Sequence, residues 1–314
     1  MRSIIIDKSL SSKRIDKVLR QVFPNTPVSA FYKAFRKKDI KVNGVRIKED
    51  YIVSENDKVE VYIIDSLLEG PPAKDFKINK GFFVVYEDSN LLIVDKDQGV
   101  PVHPDREQSD NTLIDLVQSY LQEKGEYDSG NPNAFAPSLC HRLDRNTGGL
   151  VLIAKNGHTL KMMLDFIKEK KVRKFYQCYV KGPMPQKNEE LKAFLSKDER
   201  KSRVFISDRK IPDSLEIITR YKTLDYHPDK DISRLEIELV TGRTHQIRAH
   251  LAHIGHPIIG DGKYGTNAIN RPLGAKQQML WAYKLVFDFR EGGSLNYLRG
   301  RTFQVEPRFQ LTVE

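Results

Sequence analysis

A two-domain protein of mixed helix and strand is what this sequence predicts, on three observations. Residues 12–62 place two stretches of helical spacing ahead of an Asn-Gly hairpin. Gly70-Pro71-Pro72-Ala73-Lys74 then interrupts the chain as a polar, proline-stiffened linker. Beyond it, short apolar runs and long alternating ones alternate with a few amphipathic segments. A length of 314 residues suits one large domain and one small one. The expected division is 1–70, a linker over 71–81, and 82–314.

Composition narrows the class. The formal net charge of +10 points to an acidic partner, with nucleic acid foremost. The two cysteines, Cys140 and Cys178, are too few for a disulfide framework and fit a reducing cytoplasm. No apolar run approaches membrane-spanning length, and the first eleven residues lack a signal-peptide apolar region.

In the small domain, Ile15, Val18, Leu19 and Val22 fall at helical spacing, with Pro24 and Pro27 ending the helix. A second helix is expected from Ser29, as N-cap, through Phe31, Ala34 and Phe35 to Lys37-Lys38, where cations suit the dipole. Ile40 to Ile47 reads as a hairpin turning at Asn43-Gly44, and Val59 to Ile63 as a further strand. Lys33, Arg36, Lys37, Lys38, Lys41, Arg46 and Lys48 stand against one acid, Asp39, a local net of +6. Concentrated on one helix and hairpin, that charge suits a phosphate backbone. The order of elements resembles the S4 RNA-binding domain, which implies an α+β module whose basic residues contact RNA.

The large domain opens with two strands, Phe82 to Glu87 and Leu91 to Lys96, around the turn Asp88-Ser89-Asn90. Thr112 to Gln122 reads as a helix with Leu113, Leu116, Val117 and Tyr120 inward. Thr159 to Lys171 reads as another, through Leu160, Met163, Leu164 and Ile167. Arg173 to Val180 alternates as a strand, with Lys174, Tyr176 and Cys178 on one face. Glu216 to Tyr226 and Ser233 to Val240 are long strands, and Gln278 to Leu285 is a later one. Between them, Thr241 to Leu251 is a strand-to-helix junction, where Arg243, Thr244, Gln246 and Arg248 supply donors for an anion. Histidines 245, 250, 253 and 256 lack cysteines nearby, so a zinc site is not expected.

The chemistry concentrates in Cys140 to Lys155. Asp144 lies between Arg142 and Arg145, followed by Thr147, Gly148, Gly149 and the apolar run Leu150 to Ala154, a buried strand. The glycines allow a tight turn and close approach to a ligand. Guanidiniums favour the charged form of a carboxylate, which suits it to attack an electron-poor carbon or to stabilise a developing cation. In isolation Arg-Leu-Asp-Arg reads as a structural ion pair.

The full string is not isolated. It resembles the His-Arg-Leu-Asp-x-x-Thr-Ser-Gly-Leu signature of RNA pseudouridine synthases of the RluA type, with Gly148 in the serine's place. Asp95-Lys96-Asp97-Gln98-Gly99 through His103-Pro104 is similar to that family's Asn-Lys-Pro-x-Gly-x-x-Val-His-Pro. Lys174-x-Tyr176 matches its second motif and Gly242-Arg243-Thr244-His245-Gln246-Ile247-Arg248 its third. Gly255 to Gly265, with Asp261 and Tyr264, continues that third motif. Trp281 departs from the family's Leu-His-Ala at Leu280 to Ala282.

The resemblance implies an α+β catalytic domain on a mixed, mostly antiparallel sheet that isomerises uridine to pseudouridine in structured RNA. It implies Asp144, Tyr176 and Arg248 as catalytic residues, with Arg248 the basic partner of the aspartate and Tyr176 the base. Arg142 would fill the stack vacated by the flipped uridine. Thr147, Arg243, His245, Gln246 and Leu280 would contact substrate. No Walker loop or Cys-x-x-Cys occurs, so no cofactor and no metal are expected. RNA is the expected partner, ribosomal RNA ahead of transfer RNA, and the chain is expected to act as a monomer. Two other readings are a non-catalytic RNA-binding or ribosome-assembly protein, and a glycosidase-type hydrolase, which needs a second carboxylate near Asp144.

Overall fold

The computed structural model describes residues 2–8, 10–23, 26, 28–63, 81–104, 110–131, 133–198 and 203–309. Pro24, Pro27 and the Gly70-Pro71-Pro72 linker lie outside these, as does the side chain of Ser29. Contacts divide the chain into two compact units. One is Met1–Asn79 with Gln122–Ala134, the other Lys80–Leu121 with Phe135–Glu314.

The first unit contains strands β1 (Arg2–Ile5), β2 (Ile40–Val42), β3 (Val45–Arg46) and β4 (Lys58–Val61) and helices α1 (Ile15–Val22) and α2 (Val28–Lys37). The sheet is antiparallel in the order β1-β4-β2-β3. Asn43 and Gly44 both take positive φ, 50° and 79°, the type I′ geometry that matches the twist of a tight hairpin. Helix α2 buries Phe31, Ala34 and Phe35 in a core with Val18, Leu19, Ile40 and Val59. Its basic residues Lys33, Arg36 and Lys37 therefore face solvent, as do Lys38 and Arg46, while Lys41 is half-buried. Strand β1 was not foreseen; four residues are too short for a periodicity to show.

The second unit is built on one large sheet. Its strands are β5 (Phe82–Glu87), β6 (Leu91–Lys96), β7 (Ser138–Leu139), β8 (Gly148–Ala154), β9 (Val172–Lys181), β10 (Asn188–Asp198) and β11 (Arg203–Ser207). They continue with β12 (Leu215–His227), β13 (Ile232–Leu239), β14 (Leu280–Phe287) and β15 (Thr302–Gln304). The order is β11-β10-β12-β13-β9-β14-β8-β6-β5, with β15 beside β14 and β7 beside β8. Helices α3 (Leu113–Glu123), α4 (Gly157–Lys168), α5 (Gln246–His253) and α6 (Asn267–Asn270) accompany it. The fold is α+β, and among the described strands the only parallel pair is β8 with β14.

That parallel pair positions the site. It shares only Gly148↔Trp281 and Gly149↔Ala282 before the strands diverge. Gly149 has φ +115°, and a Cβ there would lie 2.2 Å from the Ala282 carbonyl oxygen, so no side chain fits. The loop entering β8 thus leaves the sheet where its two halves meet. All seven β8 residues are buried, as their apolar run predicts.

Two helix faces differ from expectation. In α4 the buried residues are Thr159, Met163 and Phe166, while Leu164 is 47% exposed. Phe166 packs against Phe289, ring centroids 4.7 Å apart, a long-range partner that rotates the buried stripe. In α3, Leu121 takes the buried place expected of Tyr120, whose hydroxyl instead donates to Glu87 at 2.8 Å. Strands β10 and β11 occupy 188–198 and 203–207, where no element was expected. Only Leu191, Ala193 and Leu195 of β10 face inward, and charged neighbours mask that alternation. No helix of the described residues is long and apolar enough to cross a membrane.

Candidate active site

Asp144 sits four residues before β8 in a turn closed by the Thr147 amide donating to its carbonyl at 3.0 Å. The loop is held from below by the end of β6. Lys96, fully buried, donates through Nζ to the carbonyls of Asp97, Val100 and Arg145 at 2.9, 2.8 and 3.0 Å. The Gly99 backbone amide donates to the Arg145 carbonyl at 2.9 Å, and the Gln98 side-chain Nε2 to that of Asn146 at 2.9 Å. Burial pulls the Lys96 amine down to about 7, against the opposing charges of Asp144, Asp97 and Asp95. Three carbonyl acceptors occupy its donors, so this lysine fixes backbone.

The cation paired with Asp144 comes from 104 residues away. Arg248 Nη1 donates to Asp144 Oδ2 at 2.9 Å, while its Nε and Nη2 make a two-pronged pair with Asp261 at 2.7 and 3.0 Å. Burial works to raise the Asp261 carboxyl, but the Arg248 hydrogen bonds and the Tyr264 and Lys263 amides hold it below the usual carboxylate range. Burial opposes the Arg248 charge too, and Asp261 and Asp144 outweigh it, raising its pKa. Asp261 is fully buried and was no expected site residue, although it stands in the stretch read as continuing the third motif. It fixes the arm that reaches Asp144.

His245 takes a left-handed backbone at φ 54° to start α5, which turns its ring towards the same carboxylate, Nε2 3.8 Å from Asp144 Oδ2. Its Nδ1 lies 2.9 Å from the Tyr264 hydroxyl, and that oxygen already accepts the Val204 amide at 3.0 Å. With the Tyr264 proton donated to Nδ1, the imidazole proton rests on Nε2, facing Asp144. Burial lowers the pKa of His245, so the ring is neutral at pH 7.

A cavity of about 690 Å³ opens over these groups, lined also by Arg142, Tyr176, Lys174, Arg243 and Leu280. Tyr176 and Leu280 stand on the face of β9 and β14 that looks into it, at registers Tyr176↔Ala282 and Cys178↔Leu280. Burial, and then the charge of Asp144, raise the Tyr176 phenol and keep it protonated. Burial pulls Lys174 down. Arg142 and Arg243 are exposed at the cavity's edge. Two expected substrate contacts, Gln246 and Thr147, line the same cavity and are also hydrogen-bonded within the protein. Gln246, 2% exposed, donates to the Ile218 carbonyl and Thr219 hydroxyl and accepts from Thr241 and the Arg243 amide. Thr147 accepts from the Gln278 amide at 2.9 Å and is nearly buried. Both shape the loops that bear the reactive groups. His141 is likewise internal, accepting the Leu152 amide at Nε2 and held neutral by burial, its pKa about 3.

A family model described as RNA pseudouridylate synthase matches residues 90–253. An uncharacterised RNA pseudouridine synthase of Mycoplasma pneumoniae is 32% identical over 289 residues, covering 90% of this chain and 87% of that protein. The ribosomal large subunit pseudouridine synthase C of Vibrio cholerae is 31% identical over 293 residues, covering 90% and 88%. The solved human RNA pseudouridylate synthase domain containing 1 shares the fold, with TM-score 0.55 and 20% identity over 72% of this chain and 91% of that one.

Proposed function

The chain belongs to the RNA pseudouridylate synthase family, as an isomerase of the RluA type acting on RNA, and from that premise we propose that it converts uridines of large-subunit ribosomal RNA to pseudouridine with Asp144 as the nucleophile. The observation that carries the proposal is the Arg248–Asp144 pair, 2.9 Å, at the floor of a cavity of nucleoside size. A target uridine leaves the stack and enters this cavity, and Arg142 at the edge fills the gap left behind. Asp144 engages the nucleoside as the N1–C1′ bond breaks. The freed uracil rotates, C5 bonds to C1′, the C5 proton leaves, N1 takes up a proton in its place and the bond to Asp144 breaks, so the product is an isomer of the substrate. Leu280 and the Tyr176 ring bracket the base, while Arg248 and the neutral His245 hold Asp144 aimed.

Tyr176 is the base for the C5 proton. Its raised pKa has two causes, burial and the Asp144 charge. Bonding of Asp144 to the substrate neutralises that charge and removes the second. Tyr176→Phe keeps the ring but loses the hydroxyl, so kcat should fall by about 10²–10⁴-fold at near-normal RNA affinity. Wild-type rates would return this residue to packing. The hydrolase reading gains no support, because the second carboxylate near Asp144 is Asp261, which is fully buried and committed to Arg248.

The first unit is assigned to RNA binding as an S4-like module. Exposed Lys33, Arg36, Lys37 and Lys38 are its phosphate contacts, with Lys41 and Arg46 beside them on the hairpin, and the protein works in the cytoplasm. Replacing Lys33, Arg36, Lys37 and Lys38 by alanine should weaken RNA binding and flatten its salt dependence, by about 0.7–0.9 in slope per lost phosphate contact. An unchanged slope in a binding titration would remove this role from the unit.

A further inference from the structure

The back of the Asp144 loop carries a cluster that the reaction as described does not use. Trp281 lies behind the sheet, opposite Tyr176 and Leu280, and a Cβ added at Gly148 would come within 2.5 Å of its ring. The two departures from the family pattern noted above, Gly148 and Trp281, therefore occupy one space: the indole fills the volume a side chain at 148 would need. The Trp281 Nε1 donates to Asp95 at 3.2 Å. Arg308, from the segment after β15, lies 3.0 Å from a carboxylate oxygen of each of Asp95 and Asp97. Its guanidinium is sandwiched between the rings of Phe83 and Trp281, 4.6 and 4.9 Å from their centroids. Phe309 meets Trp281 edge-on at 6.3 Å.

Asp95 and Asp97 flank Lys96, and Lys96, Gln98 and Gly99 together hold the carbonyls of Arg145 and Asn146. A continuous path of contacts thus runs from Arg308 through the end of β6 to the residues directly after Asp144. We propose that Arg308, Asp95, Asp97 and Trp281 form a buttress that fixes the Asp144 loop in its reactive position, with Gly148 kept bare to admit the indole. These are positioning residues, acting on Asp144 through Lys96 and the loop backbone. Burial pushes the Asp95 carboxyl up to about 6 even against Arg308 and Trp281, so its charge is held in a site that disfavours it. Arg308 is the neighbouring cation that compensates that charge.

The inference rests on the role proposed for Asp144, so the test runs Asp144→Asn alongside. Pseudouridine formation in RNA from cells lacking the protein is followed at saturating and limiting RNA, with melting temperatures measured on the same samples. Arg308→Ala should lower kcat tenfold or more, leave KM within about threefold and stay folded at the assay temperature. Arg308→Lys should recover much of the loss. Gly148→Ser should lower kcat likewise, because a side chain at 148 displaces the indole from its seat. Wild-type kcat in Arg308→Ala or in Gly148→Ser would overturn the buttress. Activity in Asp144→Asn would instead overturn the underlying reading of the site.

Discussion

Replacing Arg248 with methionine is expected to lower kcat by at least about 10²-fold and to lower folding stability by about 3–5 kcal/mol. Both effects follow from one arm serving two carboxylates. Methionine keeps most of the aliphatic volume, so packing changes little. Asp261, however, is left charged and buried without a cation, the costly way to break a buried pair. Asp144 loses the donor that aims it, which is felt in turnover more than in RNA affinity, because one cation among many changes binding little. Urea unfolding and RNA titration on the same variant separate the two effects. Full stability would show that Asp261 finds another partner. A uniform loss of affinity with kcat intact would make Arg248 a phosphate anchor.

The same pair sets an acid limit. The folded-state pKa of Asp261 lies below that of an ordinary aspartate, so its ionisation favours the folded form. That contribution is fully present above about pH 4 and is lost as pH falls through the lowered value. Asp261→Asn should therefore flatten the stability curve below pH 4 as well as lower the stability at neutral pH.

Local pattern made much of this molecule legible in advance. The Asn43-Gly44 turn, the buried run Leu150 to Ala154 and the alternation around Tyr176 each declare their structure within ten residues. The motif residues Asp144, Tyr176 and Arg248 line one cavity although they are far apart in sequence. What stayed hidden depends on distant partners. The phase of α4 is set by Phe289, and the importance of Asp261 by an arginine folded back over a turn. Gln246 and Thr147 stand in motifs that read as substrate contacts, and only their distant partners Thr219 and Gln278 show that they also hold loops. The seat of Trp281 against Gly148 joins positions 133 residues apart, so each looked like an unrelated deviation.

The central claim is that the Asp144 carboxylate performs the isomerisation, and Asp144→Asn tests it most directly. Asparagine has nearly the same shape, and its carbonyl oxygen can still accept from Arg248 Nη1. Arg248 keeps its two-pronged pair with Asp261, so the fold should survive intact. The negative charge and the nucleophilic oxygen are what disappear. A group acting only in the reaction costs rate and not binding. The decisive measurement is pseudouridine formation by Asp144→Asn in RNA that the wild-type protein modifies, with affinity determined in the same buffer. The account predicts a rate lower by about 10⁴-fold or more, with RNA affinity within a few-fold of wild type. Pseudouridine made by Asp144→Asn at a rate comparable to wild type would contradict it.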